Sequence, residues 1–229
     1  MTSCLYEDNH IIVAFKEQNE PQEVLAQKIK DELVSKGKKA SFLEPIYTLC
    51  VEAGGIVLFA LSSKAKERLL KQIEENEFLL KNFAVCVGLP RFSTRFIFTE
   101  DGEVNYQYIH RNSKTKILEF IPSLNQDAQK VYDPYKVLED KQKISLVEIC
   151  GGFKFFDETR FLLKDAQSPV FGDKLYGGDT LAKNTNLALF AVEVRFCHPT
   201  TNKNMVFRVF PPTDKKPWSY FNVEKFLRI

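Results

Sequence analysis

With 229 residues, the chain is long enough to bury a substantial core as one large domain or two small ones. Its 32 basic and 30 acidic residues leave a net charge of +2. That balance does not announce a nucleic-acid binder working through bulk electrostatics, and it leaves room for a local basic groove. Twenty Phe and eight Tyr against two Met and one Trp lean towards β structure. The cysteines Cys4, Cys50, Cys86, Cys150 and Cys197 lie far apart. They form no zinc-type pattern and suit reduced thiols better than a disulfide framework. Glu7, Asp8 and Lys16 interrupt the first apolar stretch, which is therefore no signal peptide. No window is apolar and long enough to span a membrane, so the expected compartment is the cytoplasm.

Leu5 to Phe15 reads as strand, turn, strand, with Glu7 to His10 breaking two β-prone runs. Asn19-Glu20-Pro21 is a helix-entry signal. Leu25, Ile29 and Leu33 then recur every four residues, as one apolar helix face ending at Gly37. Gly55 to Leu61 suits a buried strand. Ser62-Ser63 can cap a second helix whose buried side would carry Leu69, Leu70 and Ile73. Leu79 to Val87 is the next strand, closed by Gly88-Leu89-Pro90.

From Phe92 to Ile121 the pattern becomes a meander. Asp101-Gly102 is a hairpin turn signal, and Arg111 to Lys114 turns the chain again. The sharper reading of this stretch is an arm touching RNA through Arg111, Lys114 and Lys116; the plain reading is a β-extension with solvated basic residues. Tyr135 to Glu139 and Ile144 to Cys150 form a further hairpin. Leu187 to Cys197 pairs with Met205 to Phe210. The whole is an α+β chain with helices early and strands late. His10, His110 and His198 offer no catalytic triad, and His198-Pro199 reads as a turn.

Four segments, Leu5 to Lys16, Ile46 to Ala60, Arg160 to Gly177, and Leu187 to Ala191 with Phe196 to Pro199, resemble RluA-type RNA pseudouridine synthases. Leu5-Tyr6-Glu7-Asp8 through Lys16 is similar to that family's opening L-Y-E-D-x-x-l-l-v-v-n-K-P, with Glu17 in place of the proline. Ile46 to Ala60 resembles the active-site segment H-R-L-D-x-x-T-S-G-L-L-L-F-A. Arg160 to Gly177 is similar to R-V-H-L-x-x-x-G-x-P-I-x-G-D-x-x-Y-G, in register and without a gap. Leu187 to Ala191 with Phe196 to Pro199 looks like L-x-L-H-A followed by F-x-H-P. The resemblance implies a pseudouridine synthase fold, a mixed, mostly antiparallel sheet flanked by helices and loops. It implies a single domain over residues 1–229, a β-meander insertion around 92–130, and no S4-type RNA-binding module.

The activity implied is uridine-to-pseudouridine isomerisation in ribosomal or transfer RNA, with RNA as partner and neither metal nor cofactor. Such chemistry needs a flipped nucleotide, a carboxylate acting on the ribosyl-uracil, a cation that orients and ionises it, and a ring against the base. The resemblance puts Cys50 at the position of the aspartate, Phe83 at that of the base-facing tyrosine, and Arg160 at that of the orienting arginine. Lys81, Lys154 and Arg160 are the RNA contacts it implies.

The same segments depart from the family in polar residues. Tyr47 and Thr48 replace His and Arg, Ala53 and Gly54 replace Thr and Ser, and Phe155 falls where the T-G-R-T-H-Q-I-R stretch is otherwise polar. A Cys50 thiolate could add to uracil if Arg160 depressed its pKa; the alternative is a small buried core residue. Glu52 could stand in for the aspartate. On a strand it would share a face with Cys50 at about 6.5 Å, too far for a direct replacement. Arg160 is either a phosphate ligand or a satisfied structural arginine. Two expectations follow: a synthase-like protein with weak or no activity, or an inactive RNA- or protein-binding pseudoenzyme on the same scaffold.

Overall fold

The computed structural model describes residues 4–91, 107–121, 129–131, 135–151, 157–177 and 185–227. The expected turn at Asp101-Gly102 lies outside these residues, as do Lys154 and Phe155. In chain order the elements are β1 (Cys4–Glu7), β2 (Ile11–Lys16), α1 (Gln22–Ser35), β3 (Glu44–Pro45), β4 (Gly54–Ala60), α2 (Ser63–Glu74) and β5 (Leu79–Val87). There follow β6 (Gln107–Arg111), β7 (Leu118–Ile121), β8 (Gln129–Val131), β9 (Tyr135–Asp140), β10 (Ile144–Cys150), α3 (Glu158–Asp165), β11 (Leu189–Cys197), β12 (Asn204–Arg208) and α4 (Glu224–Leu227).

The main sheet runs β1-β2-β4-β11-β5-β10-β9, with β3 added to β4 and β12 to β11. Its pairings are antiparallel except where β11 meets β4. The chain is therefore α+β with a mostly antiparallel sheet, as its sequence suggests. Every residue of β4 is buried, which is why it reads as a continuous apolar run rather than an alternating one. Each fully buried aliphatic side chain there contributes roughly 1.5–3 kcal/mol over an exposed one.

The helix α1 buries Leu25, Ile29 and Leu33, the face its periodicity indicates. The helix α2 begins where Ser62 Oγ accepts the Ala65 N–H at 3.2 Å. Its buried side differs from expectation: Leu69, Ala65 and Gln72 point inward, while Leu70 is exposed. Gln72 displaces Leu70 because its amide serves β11 directly. Its Nε2 donates to the Cys197 carbonyl at 2.8 Å, and its Oε1 accepts the Cys197 N–H at 2.7 Å.

The strands β7-β6-β8 form a separate antiparallel sheet. It is fixed to α3 by a small apolar cluster of Ile109, Leu118, Phe161 and Tyr176. Arg111 donates to both carboxylate oxygens of Asp157, at 3.2 Å to one and closer to the other, and to the Lys116 carbonyl at 2.7 Å. Arg111 thus anchors the extension, and the basic residues left at its tip are the exposed Lys114 and Lys116.

The helix α3 has no counterpart in the sequence reading. Glu158 to Phe161 and Leu163 are all buried, so the segment carries no apolar stripe to betray a helix.

Two motifs far apart in sequence hold each other. Asp8 accepts the His10 and Ile11 N–H groups at 2.7 and 2.9 Å, closing the β1–β2 turn. Its other oxygen lies 2.7 Å from His198 Nε2, while His198 Nδ1 accepts from Thr200 and Thr201. The proton therefore sits on Nε2 and is donated to Asp8. His198 is a structural turn residue. Burial opposes the Asp8 charge, but these hydrogen bonds outweigh it and hold the carboxyl below its usual range. A depressed folded pKa adds stability above the unfolded value of about 4, and that stability is lost as pH falls through the folded value. The urea midpoint should fall on acidification through this range, and Asp8→Asn should flatten the fall. An unchanged slope in the variant would remove Asp8 from the account.

Candidate active site

The site is built on a turn that follows Leu49. Ala53 N–H donates to the Cys50 carbonyl at 3.1 Å, so Cys50 to Ala53 form a turn rather than the strand that the spacing of Cys50 and Glu52 invites. Lys16, at the end of β2, explains the turn. It is fully buried, and its ammonium donates to the carbonyls of Glu17 at 3.2 Å, Cys50 at 3.3 Å, Val51 at 3.0 Å and Ala53 at 2.5 Å. A backbone that turns its carbonyls towards one cation cannot also pair as a strand. Burial lowers the Lys16 pKa, against the opposing pull of Cys50, Glu20 and Glu52.

Two further constraints fix the turn. Gln22, at the start of α1, donates to the Tyr47 carbonyl and accepts the Leu49 N–H, both at 3.0 Å. Beyond the turn, Gly54 and Gly55 press against β11. A Cβ on Gly55 would lie 2.3 Å from the Ala191 carbonyl oxygen, and Gly55 has φ +123°. Only glycine allows both this conformation and this approach.

Cys50 is 2% exposed. Burial raises its pKa to about 11, and the pull of Arg160 and Lys16 does not reverse this. At neutral pH the group is a thiol, and the thiolate needed for nucleophilic attack is scarce.

Glu52 occupies the solvent side of the turn, with 49% of its side chain exposed. Its Oε2 lies 3.4 Å from Arg160 Nη1. The sequence spacing sets Glu52 beside Cys50; the turn sets it against Arg160 instead.

Arg160 is 3% exposed, on the buried face of α3. Its Nε and Nη2 donate to the two oxygens of Asp173, at 2.8 and 2.6 Å. Burial works against its charge, but the Asp173 hydrogen bonds and carboxylate more than offset this and keep the guanidinium protonated. Asp173 is fully buried and also accepts the Leu175 and Tyr176 N–H groups at 2.9 and 3.0 Å. The Arg160 guanidinium carbon lies 5.6 Å from the centre of the Tyr176 ring. Tyr176 OH donates to Asp157 at 2.6 Å, the carboxylate that also holds Arg111. The extension and the site therefore share one polar network.

The remaining sequence candidates have other partners. Phe83 is fully buried in β5, between Phe190 of β11 and Glu148 of β10. Lys81 is paired with Glu148 at 3.0 Å. Lys154 is outside the described residues. Tyr47 is buried, with its hydroxyl on the Ile56 carbonyl at 3.0 Å. Among the described residues, no group of three or more His, Cys, Asp or Glu is placed to hold a metal ion. Sequence reasoning gives no role to Lys16, Asp173, Tyr176 or Asp157. A lysine closing an apolar strand, and the Gly172-Asp173 step inside the Arg160 segment, are the available signals.

No protein-family model matches the chain. It is 27% identical over 213 residues to the dual-specificity RNA pseudouridine synthase RluA of Haemophilus influenzae, covering 89% of this chain and 90% of that protein. It is 26% identical over 222 residues to the uncharacterised RNA pseudouridine synthase YhcT of Bacillus subtilis, covering 93% and 69%. Among solved structures, human RNA pseudouridylate synthase domain containing 1 superposes with a TM-score of 0.69 at 17% identity, covering 93% of this chain and 84% of that one. Human RNA pseudouridylate synthase domain containing 4 gives 0.65 at 18%, covering 92% and 88%. Over most of its length the chain is similar in sequence to RluA-type pseudouridine synthases, it shares the fold of pseudouridylate synthase domains, and a divergent RluA-like chain fits both.

Proposed function

We propose that this RNA pseudouridine synthase-like protein binds RNA and isomerises uridine weakly or not at all. The observation that carries this is the state of Cys50. At the position where the resemblance puts the carboxylate, the chain has a buried thiol held protonated. RNA as partner is supported by the relatives, which are named as RNA pseudouridine synthases. We read residues 1–229 as one synthase-like domain with an insertion around 92–130. One apolar cluster reaching from Ile11 to Leu227 supports that reading.

A second reading is favoured by one contact. Glu52 is a solvent-facing carboxylate on the outward nitrogen of Arg160, so any turnover would fall to it. Isomerisation rejoins uracil through C5 and expels the C5 hydrogen, so tritium release from 5-tritiated RNA measures it. Wild type and Cys50→Ala are expected to give equal background, and Cys50→Asp to gain release. Release by the wild type that Cys50→Ala abolishes would overturn the proposal. Release that survives Cys50→Ala but is lost in Glu52→Gln would assign the chemistry to Glu52.

A further inference from the structure

A second group of charges lies on the main sheet, on β5, β11 and β12. The pairing of β11 with β5 shifts register between Ala191 and Glu193. This resets the alternation, so that Phe190 opposes Phe83 and Glu193 opposes Lys81, on one face of the sheet. On the other side of β11, Glu193 opposes Arg208 and Arg195 opposes Val206. Lys81, Glu193 and Arg208 therefore form a row across β5, β11 and β12, with Arg195 beside it.

Glu193 is 2% exposed, yet it is flanked by two cations. Arg195 Nε donates to its Oε1 at 2.6 Å, and Arg208 Nε donates to its Oε2 at short range. Burial opposes the charge, but the two arginines outweigh it and hold the carboxyl below its usual range. Both arginines use only Nε. Their terminal nitrogens have no hydrogen-bond partner among the described residues. The Arg195 side chain is 49% exposed, that of Arg208 half as much.

The negative charge is thus buried and two guanidinium forks are held above it. Lys81 is taken up by Glu148, so the group has three cations against two carboxylates and one positive charge in excess. A planar fork of N–H donors matches a phosphate better than any other common group. Two residues beyond Arg208, Phe210 is also exposed. A single-stranded nucleic acid engages cations through its phosphates and an exposed ring beside them through a base.

We infer that Arg195 and Arg208, set by the buried carboxylate of Glu193, form a phosphodiester-binding site for a single-stranded RNA segment. The inference rests on the RNA-binding reading above. A purely structural ion triad is the competing account, and it gives Arg195 no role in binding.

The test is fluorescence anisotropy with a fluorescein-labelled single-stranded RNA oligonucleotide over a series of salt concentrations. Arg195→Gln is the informative variant, because Arg208 still neutralises Glu193 and the fold is kept; a thermal scan confirms it. Affinity should fall about tenfold. The slope of log K against log salt should shrink by about 0.7, because one phosphate is no longer neutralised. Arg195→Lys, which keeps the charge but not the fork, should recover only part of the affinity. Lys28→Gln, an exposed lysine on α1, should move neither quantity. Wild-type affinity and slope in Arg195→Gln, or losses no larger than in Lys28→Gln, would overturn the site and leave the RNA reading standing. Failure of the wild type to bind RNA would remove that reading and the site with it.

Discussion

Replacing Asp173 by Asn is expected to destabilise the protein by about 3–5 kcal/mol, the usual cost of removing one partner from a buried ion pair. The substitution is nearly isosteric, and its amide oxygen can still accept the Leu175 and Tyr176 N–H groups. The loss therefore reports on charge rather than shape. Arg160 would be left 3% exposed, with an amide in place of its bidentate carboxylate. Glu52 does not compensate, because it is half solvated and meets only one nitrogen at 3.4 Å. Urea unfolding followed by circular dichroism gives the number. The double variant Arg160→Met with Asp173→Asn should recover much of the loss, since it leaves no unpaired buried charge. A loss below about 1 kcal/mol in Asp173→Asn would show that the pair is solvated and contributes as a surface pair does.

Gly55→Ala should be nearly as damaging, for a reason of shape alone. The new methyl would sit 2.3 Å from the Ala191 oxygen and 2.6 Å from its nitrogen, on a residue whose φ is +123°. Backbone strain of about 1–3 kcal/mol adds to overpacking of about 1–3 kcal/mol. Both fall on the junction of β4 with β11, next to the Lys16 turn. In a chain of this size each kcal/mol lowers the melting temperature by about 2–4 °C, so the combined cost of about 2–6 kcal/mol corresponds to a drop of roughly 4–24 °C. Gly88→Ala is the matched control. Gly88 also has positive φ, +75°, but a Cβ there meets nothing within 4 Å. A thermal scan in which the two variants fall equally would show that conformation, and not the close approach to β11, sets the requirement for glycine.

The sequence conveys those parts of the fold whose residues report their own surroundings. Leu25, Ile29 and Leu33 mark one face of α1, the apolar run of β4 marks burial on both sides, and β5 is bounded by its own Gly88-Leu89-Pro90. The helix α3 is hidden because Glu158 to Phe161 are buried all round, so charged and apolar letters alternate with no helical period. Leu70 faces outward against its apolar character because Gln72, a polar residue, takes the inward position to pair with Cys197. At the site, the letters at positions 50 and 52 are visible but their geometry is not. The turn depends on Lys16, more than thirty residues away in sequence. The partner of Arg160 is in plain view at Asp173, yet only the packing of α3 onto the Gly172 turn brings the two together. Glu193 and its arginines depend on a register shift in β11 that no local pattern announces.

The position of β11 also bears on how the protein is made. It is the strand on which β4, β5 and β12 all pair, yet it comes from residues 189–197. A ribosome delivers the earlier strands first. Until β11 emerges, β4 and β5 have no neighbour on their inner edges, and their apolar residues and unpaired backbone groups are open to other chains. The bond between Asp8 and His198, 190 residues apart, closes later still. From β4 until residues 189–197 follow, the nascent chain therefore carries a sheet with its centre missing, the state in which chaperones would find the most to hold.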